Sequence, residues 1–350
     1  MPETVTFHPD LLDSHCIVDA RTPLEFAEDH LPGAINVPLL TNEERVEIGT
    51  LYKQVGAHPA RIRGLELTAG RFPAIVAEIA AAAAGRPILV YCWRGGLRSK
   101  TIATMLDLTG YPVRQLTGGY KVFRNQVGAY FDNFIPKAPL VVLHGMTGIG
   151  KTTLLGKLAE RGQSIIDLEG IACHRGSAFG SLGLTQEHLT QKRFETLLWD
   201  ELRKLPGDRP IFLEGESKRI GKMTLPGNFY EVMGESYKVW CTASLETRVR
   251  RLTEEYGLKK YEEGLTESLL KIKKKLGGDK YTEISGYLQR WEMEPFMTEL
   301  IVSYYDKLYY KVRPWTEDMA LCMEDFDKAA DELAGISFTG KSSQPRSKPL

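Results

Sequence analysis

Residues Leu140 to Thr153 read LVVLHGMTGIGKTT, and this stretch decides the fold predicted for the second half of the chain. An apolar run typical of a buried strand leads into a glycine-rich turn, and the helical pattern TLLGKLAERG follows. A strand, loop and helix in this order let backbone N–H groups and the helix N-terminus hold phosphate. The residues that fit the spacing G-x-x-x-x-G-K-[ST] are Gly145, Gly150, Lys151 and Thr152.

The positions of this phosphate-binding loop (P-loop) have expected roles. Lys151 should meet the outer phosphate oxygens, and the Thr152 hydroxyl should hold Mg²⁺. Gly148 and Thr153 lie in the same loop and complete the predicted phosphate site. Such a loop recognises a diphosphate rather than a base, and the sequence has no NKxD-type guanine-reading segment. The spacing therefore does not identify a nucleotide.

Two further segments are predicted to support the P-loop. The stretch PIFLEGES ends a predicted strand with Glu214 and Glu216, acidic positions suited to Mg²⁺ or its water shell. The stretch ASLETRVRRL places Arg248, Arg250 and Arg251 early on a helix, where arginines of many P-loop kinases close over phosphates. A solvated helix face explains the same pattern equally well. Of the three arginines, Arg248 is the predicted phosphate ligand.

A second loop, YCWRGGLRSK at Tyr91 to Lys100, follows the apolar run PILVY and contains a nucleophile. The residues after Cys92 can curl so that their N–H groups point into a concave nest that stabilises anions. Arg94 and Arg98 add positive charge, so the pattern predicts a nucleophilic thiolate. On its own, a cysteine followed by glycine is a weak signal, for which a buried structural thiol is the default interpretation.

The totals describe a globular chain without an excess of charge. Lys and Arg number 45, as do Asp and Glu, so no polyanion-binding signature covers the whole of its 350 residues. The five cysteines lack the spacing of zinc sites, which predicts free thiols in a reducing cytosol. We expect a cytoplasmic protein that does not contact membranes, because the N-terminus lacks a signal-peptide pattern and no apolar run reaches roughly 18 residues.

Alternating apolar runs and helical patterns predict an α/β protein with two parallel sheets. The first series, from Ile17 to about Val122, includes CIVDA, AINVP, PILVYC and VRQLTGG; the second begins at Leu140 with LVVLH, SIIDL, PIFLEG and YKVWCTA. The expected domains are 1–125, a linker at 126–138, and 139–335 with a helical region at about 245–315. The polar end, 336–350, is expected to be disordered.

The segment VDARTPLEFAEDHLPGAINVP and the later LTGGY resemble the rhodanese (sulfurtransferase) signature, over about Cys16 to Phe123. The resemblance implies a rhodanese-like domain in which Cys92 carries a persulfide or perselenide. The spacing from Cys92 to Arg98 is C-x5-R, longer than in sulfurtransferases and similar to that of rhodanese-fold phosphatases. The longer loop suggests a phosphorylated chalcogen donor or, alternatively, a phosphatase.

A rhodanese-like domain followed by a P-loop domain resembles the tRNA 2-selenouridine synthases, including the segments CWRGGLRS, GMTGIGKT and DLEGIACHRGSAFG. The resemblance implies conversion of wobble 2-thiouridine in tRNA to 2-selenouridine. The sulfur is first alkylated by geranyl diphosphate at the P-loop, with Mg²⁺ as the expected metal, and is then replaced by selenium from selenophosphate at Cys92. The implied partners are a 2-thiouridine-containing tRNA and an enzyme that supplies selenophosphate.

Two segments are candidates for substrate contact. The loop DLEGIACHRGSAFGSLG follows the second strand of the P-loop domain, where such folds place substrate-binding residues. The helical region is basic and interleaved with Tyr and Trp, a pattern that suits RNA phosphates and bases but also a solvated amphipathic surface. The predicted substrate ligands are Asp167, Glu169, His174, Arg175, Lys271, Lys273, Lys274 and Lys275.

Two other functions fit parts of the sequence. A P-loop kinase fused to a sulfurtransferase or phosphatase-like domain would depend on a nucleotide and would not need RNA. A regulatory module with an inert rhodanese fold would switch a partner, but the retained Cys92 argues against it. The sequence does not locate the apolar slot that a geranyl chain needs.

Overall fold

The computed structural model describes residues 2–184, 186–311 and 315–336, with the backbone alone at 309–311. The chain forms two compact units. The first comprises 1–132 together with 188–203, and the second comprises 133–187 together with 204–350. The tail expected to be disordered lies, from residue 337 onward, outside the described residues.

The strands, numbered along the chain, are β1 Glu3–Val5, β2 Cys16–Asp19, β3 Ile35–Asn36, β4 Ile88–Tyr91, β5 Val113–Leu116, β6 Leu140–Gly145, β7 Ser164–Ile166, β8 Ile211–Glu214, β9 Arg219–Ile220, β10 Met223–Thr224, β11 Tyr237–Thr242 and β12 Met319–Cys322. The α-helices are α1 Asp10–Ser14, α2 Pro23–Glu28, α3 Asn42–Gln54, α4 Ala57–Thr68, α5 Phe72–Ala83, α6 Leu97–Leu108, α7 Gly119–Asp132, α8 Lys151–Glu160, α9 Leu168–Ile171, α10 Gln191–Lys204, α11 Gly227–Glu235, α12 Leu245–Tyr256, α13 Glu262–Leu276, α14 Gly278–Gln289, α15 Met293–Leu300, α16 Asp306–Lys311 and α17 Phe326–Ala334.

The first unit is built on a parallel sheet of order β1-β5-β4-β2-β3. Every residue of β2 and β4 is buried, because helices cover both faces of a parallel sheet. Helices α2 and α3 each begin with a capping box, from Thr22 to Glu25 and from Thr41 to Glu44. The predicted α/β fold is confirmed for this half of the chain.

The boundaries of the first unit differ from those expected from the sequence. Residues 126–132 of the expected linker continue helix α7, because Phe123, Val127 and Phe131 follow one another at helical spacing and are all buried. Residues 188–203, expected in the P-loop domain, form most of α10 and belong to the first unit. Buried apolar residues on α10, among them Phe194, Leu198 and Trp199, pack there.

The second unit has a parallel sheet of order β12-β11-β6-β8-β7. Strands β6, β7, β8 and β11 are the four apolar runs predicted from the sequence, whereas β12 was not predicted. Its core lies between this sheet and helices α8 and α17. The P-loop therefore follows the central strand, at the carboxyl edge of the sheet, where parallel α/β folds bind ligands.

The helical region predicted from Leu245 onward is confirmed for the described residues and has its own core. Buried side chains from α12, α13, α14 and α15 form it, together with Phe179 and Leu182 from the segment after α9. A π-helix at Ile301–Tyr305 joins α15 to α16, and such segments often occur at functional sites. Among the described residues, none of the helices has the length and apolar character needed to cross a membrane.

Candidate active site

The Cys92 side chain lies directly after β4, at the carboxyl edge of the first sheet. Its sulfur accepts hydrogen bonds from the Gly96 N–H and from the Ser99 hydroxyl, each at 3.2 Å. The side chain of Gln115 holds the loop from the next strand by donating to the Gly95 carbonyl at 2.9 Å. Two hydrogen-bond donors therefore face the sulfur. All five cysteines are free.

Glycines close the cysteine loop from behind. Gly119 has φ +58°, and a Cβ there would lie 2.1 Å from the Cys92 carbonyl oxygen. Gly95 has φ +66°, and its Cβ would lie 2.7 Å from the Leu116 carbonyl oxygen. No side chain fits either position, which gives a physical reason for the segment LTGGY beside the loop.

The two arginines of the cysteine loop differ in their surroundings. Arg98 forms an ion pair with Glu25, and its Nη2 lies 3.1 Å from Glu25 Oε1. Burial by itself would raise the pKa of Glu25, but hydrogen bonds from Arg98 and from the Thr22 N–H outweigh burial and lower it. Arg94 is exposed at the rim of the loop. The guanidinium of Arg98 is thus held in place, whereas that of Arg94 faces solvent.

A buried ion pair between Asp19 and Arg21 lies at the carboxyl end of β2. Arg21 Nη2 lies 2.6 Å from Asp19 Oδ2, and the Tyr91 hydroxyl donates to the same oxygen at 2.6 Å. Both charged residues are almost completely buried. Burial, together with the charge of Asp19, raises the pKa of Tyr91, so its hydroxyl stays a donor. The Asp-x-Arg segment of the sequence therefore holds, through Asp19, the side chain of Tyr91, the residue before Cys92.

The P-loop runs from the end of β6 to the start of α8. Gly148 and Gly150 have φ values of +83° and +85°, which favour glycine. A Cβ on Gly150 would lie 2.4 Å from the ring of Phe326, and one on Gly145 would lie 3.0 Å from the Cys241 carbonyl oxygen. Helix α8 starts at Lys151, so the N–H groups of its first turn face the loop.

Acidic side chains surround the cation and hydroxyl of the P-loop. Lys151 Nζ lies 3.5 Å from Glu216 Oε1, and both side chains are largely buried. The Thr152 hydroxyl lies 3.3 Å from Glu169 Oε2 and 3.4 Å from Glu214 Oε1. Glu214 Oε2 also accepts from the Leu168 N–H at 2.9 Å. The predicted partners Lys151, Thr152, Glu169 and Glu214 therefore meet at one place.

This cluster of oxygens suits Mg²⁺. Mg²⁺ binds hard oxygen ligands and usually combines one or two protein groups with water and ligand phosphates. Thr152, Glu169 and Glu214 offer such oxygens beside the P-loop. Among the described residues there is no group of three or more His, Cys, Asp or Glu that could hold a metal by itself.

Burial changes the charge state of the acidic residues. Burial, opposed by the nearby Lys151 and reinforced by Glu216, raises the pKa of Glu169 to about 8. Burial, followed by the charges of Asp167 and Glu169, raises the pKa of Glu214 well above its usual range. Burial therefore favours the protonated form of both carboxyl groups, and a bound cation would favour their ionised form.

The segment after β7 contributes some of its predicted ligands to this place. Asp167 caps α9 by accepting from the Gly170 N–H at 2.7 Å, and Glu169 reaches Thr152. Arg175 Nε lies 2.7 Å from Glu255 Oε1. His174 Nδ1 accepts from the Gly176 N–H at 3.1 Å, and burial lowers its pKa. His174 therefore shapes its own loop.

The arginines of α12 hold the P-loop from behind. Arg248 is buried, donates to the Thr147 carbonyl at 2.9 Å and pairs with Asp306 at 2.6 Å. Arg251 donates to the Ile149 carbonyl at 2.8 Å and lies over the ring of Phe326. Arg250 is exposed. Arg248, the predicted phosphate ligand, thus contacts the backbone of the P-loop. The packing of α12 against the loop determines this contact, which the residue type alone does not predict.

A cavity of about 1720 Å³ opens over the P-loop within the second unit. Gly145, Gly148, Gly150, Lys151, Thr152, Thr153, Asp167, Glu169 and Arg175 all line it. Its walls include side chains of the helical core, namely Phe179, Leu265, Ile272, Met297, Leu300 and Tyr304. Sequence reasoning did not identify this apolar wall, because its members are ordinary core residues in the sequence pattern.

The predicted lysines of α13 divide between two faces of the helix. Lys271 and Lys275, one turn apart, line the cavity. Lys273 lies over the ring of Tyr281, 4.8 Å from its centroid, and neither Lys273 nor Lys274 lines the cavity, although all four lysines are exposed. The cavity therefore combines the cations Lys151, Lys271 and Lys275 with an apolar wall, an arrangement suited to an anion that carries a hydrocarbon part.

Comparisons with known proteins match both halves of the chain. Residues 138–335 match the family described as tRNA 2-selenouridine synthase AAA domain, and residues 6–126 match the rhodanese-like domain. A protein named tRNA 2-selenouridine synthase from Pseudomonas syringae pv. syringae (strain B728a) is 33% identical over 324 residues, 84% of this chain and 87% of its own.

Two other relatives carry the same name. The one from Cupriavidus necator (strain H16) is 34% identical over 339 residues, which cover 88% of this chain and 91% of the relative. The one from Nitrosomonas europaea (strain ATCC 19718) is 32% identical over 340 residues, which cover 84% of this chain and 88% of the relative. The similarity therefore extends over both units.

Proposed function

Because the chain belongs to the tRNA 2-selenouridine synthase family, we propose that it converts wobble 2-thiouridine in tRNA to 2-selenouridine through an S-geranylated intermediate. Geranyl diphosphate and selenophosphate are its co-substrates, and an enzyme that makes selenophosphate is a candidate partner. The reaction is proposed for the cytoplasm, the compartment in which thiols such as the five free cysteines stay reduced.

The cavity over the P-loop carries this proposal. A diphosphate fits the Lys151 side, where loop N–H groups and the start of α8 face the ligand. A hydrocarbon chain fits the apolar wall that includes Leu265, Met297 and Leu300. A nucleotide would also use the P-loop, but its polar sugar and base would gain little from aliphatic side chains.

The first half-reaction is an alkylation of sulfur. The thiocarbonyl sulfur of the base attacks the first carbon of the geranyl group, a C–S bond forms, and the C–O bond to the diphosphate breaks. The N3 proton of the base leaves, so the product is neutral. Lys151 and the loop N–H groups stabilise the negative charge that develops on the diphosphate. Thr152 and Glu169 or Glu214 would hold Mg²⁺, which adds positive charge beside the leaving group.

The second half-reaction exchanges sulfur for selenium, and we assign it to the Cys92 loop. Selenium attacks C2 of the base, geranyl thiolate leaves, and water then cleaves the Se–P bond to release phosphate. No electrons are exchanged, because selenium in selenophosphate is already at the selenide level. A Cys92 perselenide would require an oxidant, so it is not an intermediate of this scheme. The Cys92 sulfur instead holds the anion-binding loop in shape through its hydrogen bonds with the Gly96 N–H and the Ser99 hydroxyl. Arg94, Arg98 and the loop N–H groups are suited to bind the tetrahedral anion.

The test is mass spectrometry of nucleosides from 2-thiouridine-containing tRNA incubated with the protein, Mg²⁺ and geranyl diphosphate, with and without selenophosphate. We expect S-geranyl-2-thiouridine in the first reaction and 2-selenouridine in the second. Folded protein that leaves the nucleoside unchanged in both would contradict the proposal, and ATP-dependent phosphotransfer would be measured next.

Two variants assign the half-reactions. Lys151→Ala should abolish geranylation, whereas Lys157→Ala, on the solvent side of the same helix, should keep it. Cys92→Ser should accumulate the geranylated nucleoside and make no 2-selenouridine, whereas Cys322→Ser, at an exposed cysteine, should behave as the wild type. Geranylation that survives Lys151→Ala would refute the role given to the P-loop.

A further inference from the structure

Tyr120 connects the cysteine loop to the rest of the first unit. Its backbone N–H donates to the Cys92 carbonyl oxygen at 2.9 Å. Its ring stacks on that of Trp93, with centroids 5.4 Å apart. The next residue, Lys121, donates from its N–H to the Trp93 carbonyl at 3.0 Å. A shift of Tyr120 therefore moves the first two residues of the loop.

The Tyr120 side chain is fixed in turn by a buried carboxylate. Its hydroxyl donates to Asp29 Oδ2 at 2.8 Å, and the Arg21 guanidinium lies 4.0 Å from the centroid of its ring. Tyr120 and Asp29 are almost completely buried. Burial, followed by the charge of Asp29, raises the pKa of Tyr120, so its hydroxyl remains a donor at neutral pH.

Helix α10 supplies the other partners of this carboxylate. The Thr196 hydroxyl donates to Asp29 Oδ2 at 2.9 Å, and Arg193 Nη1 lies 3.9 Å from Asp29 Oδ1. Arg193 also donates to the His30 carbonyl at 3.0 Å. Thr196, like Asp29, has no solvent exposure. A segment that lies within the P-loop half of the sequence therefore completes a hydrogen-bond chain that ends at Cys92.

We propose that Thr196 and Asp29 are positioning residues for the Cys92 loop and act on it through Tyr120. A buried carboxylate needs its donors, so loss of one donor shifts the remaining groups toward new partners. That shift reaches the Cys92 carbonyl by way of the Tyr120 backbone. The inference rests on the proposed function for the selenium step, but the loop geometry can be measured without tRNA.

The test compares Thr196→Val with the wild type in the full chain, well below the melting temperature. We expect iodoacetamide to alkylate the buried Cys92 several-fold faster, as followed by peptide mass spectrometry. The rate of the selenium step should fall about tenfold, because a displaced loop no longer holds its groups in the reactive geometry. The rate of geranylation at the P-loop should stay the same.

Conservative and matched variants separate positioning from general stability. Thr196→Ser keeps the hydroxyl and should restore wild-type rates. Lys192 lies on α10, as Thr196 does, and forms an exposed ion pair with Glu28 of α2. Lys192→Gln removes this ion pair and should change neither rate. Tyr120→Phe combined with Thr196→Val should cost less than the sum of the single changes, because both act on one carboxylate.

Specific outcomes would overturn the inference. If Thr196→Val lowers the melting temperature but leaves the alkylation of Cys92 unchanged, α10 has only a structural role. The same conclusion follows if Thr196→Ser behaves as Thr196→Val. If the wild type makes no 2-selenouridine, the proposed function fails, and the alkylation rates of Cys92 still decide the positioning role.

Discussion

Glu25 makes two contacts in the first unit, and the surrounding sequence predicts only one of them. Its carboxylate accepts from the Thr22 N–H at 3.0 Å and so completes the capping box of α2. The same carboxylate pairs with Arg98 in the cysteine loop. The cap follows from the spacing T-x-x-E, a local pattern. The pairing spans 73 positions of sequence and depends on the fold.

Glu25→Gln should destabilise the protein more at neutral pH than in acid. The pKa of Glu25 is lowered in the folded state, so its contribution is present above the pKa of the unfolded chain, about 4.3. That contribution is lost as the pH falls through the lowered folded value. We expect a difference of about 1–2 kcal/mol in the free energy of unfolding at pH 7, measured with urea, and a smaller one at about pH 3.

The control for this experiment is Glu47→Gln, which removes an exposed ion pair with Arg63. Such pairs contribute about 0–1 kcal/mol, so its effect should be small at every pH. A difference between Glu25→Gln and wild type that stays constant down to low pH would mean that the ion pair with Arg98 does not stabilise the fold.

Among the elements, helix α13 carries its four lysines on different faces. In the sequence, Lys271, Lys273, Lys274 and Lys275 form one basic run. On the helix, all four are exposed, but only Lys271 and Lys275, which share a face, line the cavity. Helical periodicity makes this division predictable once the helix is known, but the face that meets the cavity depends on packing.

Lys271→Ala and Lys275→Ala should weaken tRNA binding more than Lys274→Ala does. The measurement is the dissociation constant of 2-thiouridine-containing tRNA at several salt concentrations. For each lysine that contacts a phosphate of the single-stranded anticodon loop, the slope of log K against log salt should fall by about 0.7. Equal losses for all three variants would indicate general surface charge instead of a defined contact.

The π-helix at Ile301–Tyr305 shows an element that the sequence pattern did not predict. Its apolar spacing is compatible with an uninterrupted α-helix from Met293 onward. The wider turn brings Tyr304 and Tyr305 to the cavity wall. A π-helix forms where packing compensates for its weaker hydrogen bonds, so its position is a property of the helical core.

At the scale of the whole molecule, the sequence order of the chain and its division into units differ. Residues 188–203 belong to the first unit, although the sequence segments on both sides of them belong to the second. Trp199 is the largest contribution of α10 to that core. Its ring lies 5.5 Å from that of Phe123 and 6.3 Å from that of Phe7, centroid to centroid.

Trp199→Ala should unfold the first unit selectively. Removal of a buried tryptophan leaves a cavity, and the expected loss is about 3–5 kcal/mol of the free energy of unfolding. Hydrogen exchange followed by mass spectrometry should show faster exchange in β2, β4 and α7, with β6 and α8 unchanged. Trp199→Phe should lose less. Equal acceleration of exchange in both units would contradict the assignment of α10 to the first.

The fold class and most strands could be predicted because their signals are local. The apolar runs at Ile17, Leu89 and Val141 are continuous, as buried parallel strands require, and each lies in a strand of the structure. Strand β12 was missed, because its residues MALC lie in a short segment without a clear pattern. The boundary near residue 126 and the placement of α10 were not predictable, since both depend on which apolar surfaces meet.

The candidate site divides in the same way. The spacing of Gly145, Gly150 and Lys151 determined the P-loop, because backbone geometry needs glycine at defined positions. Likewise, the residues after Cys92 determined a loop with its N–H groups and arginines near the thiol. Both loops depend on residues that are close in the sequence, so both could be predicted from it.

Residues distant in the sequence complete each loop, and tertiary packing determines which ones they are. It brought Glu25 to Arg98, directed Arg248 behind the P-loop, and placed the core residues Leu265 and Leu300 on a cavity wall. These contacts depend on the packing of whole elements, and many sequences with the same local pattern could pack differently. Local patterns determine which chemical groups the chain carries, and packing determines which of them meet.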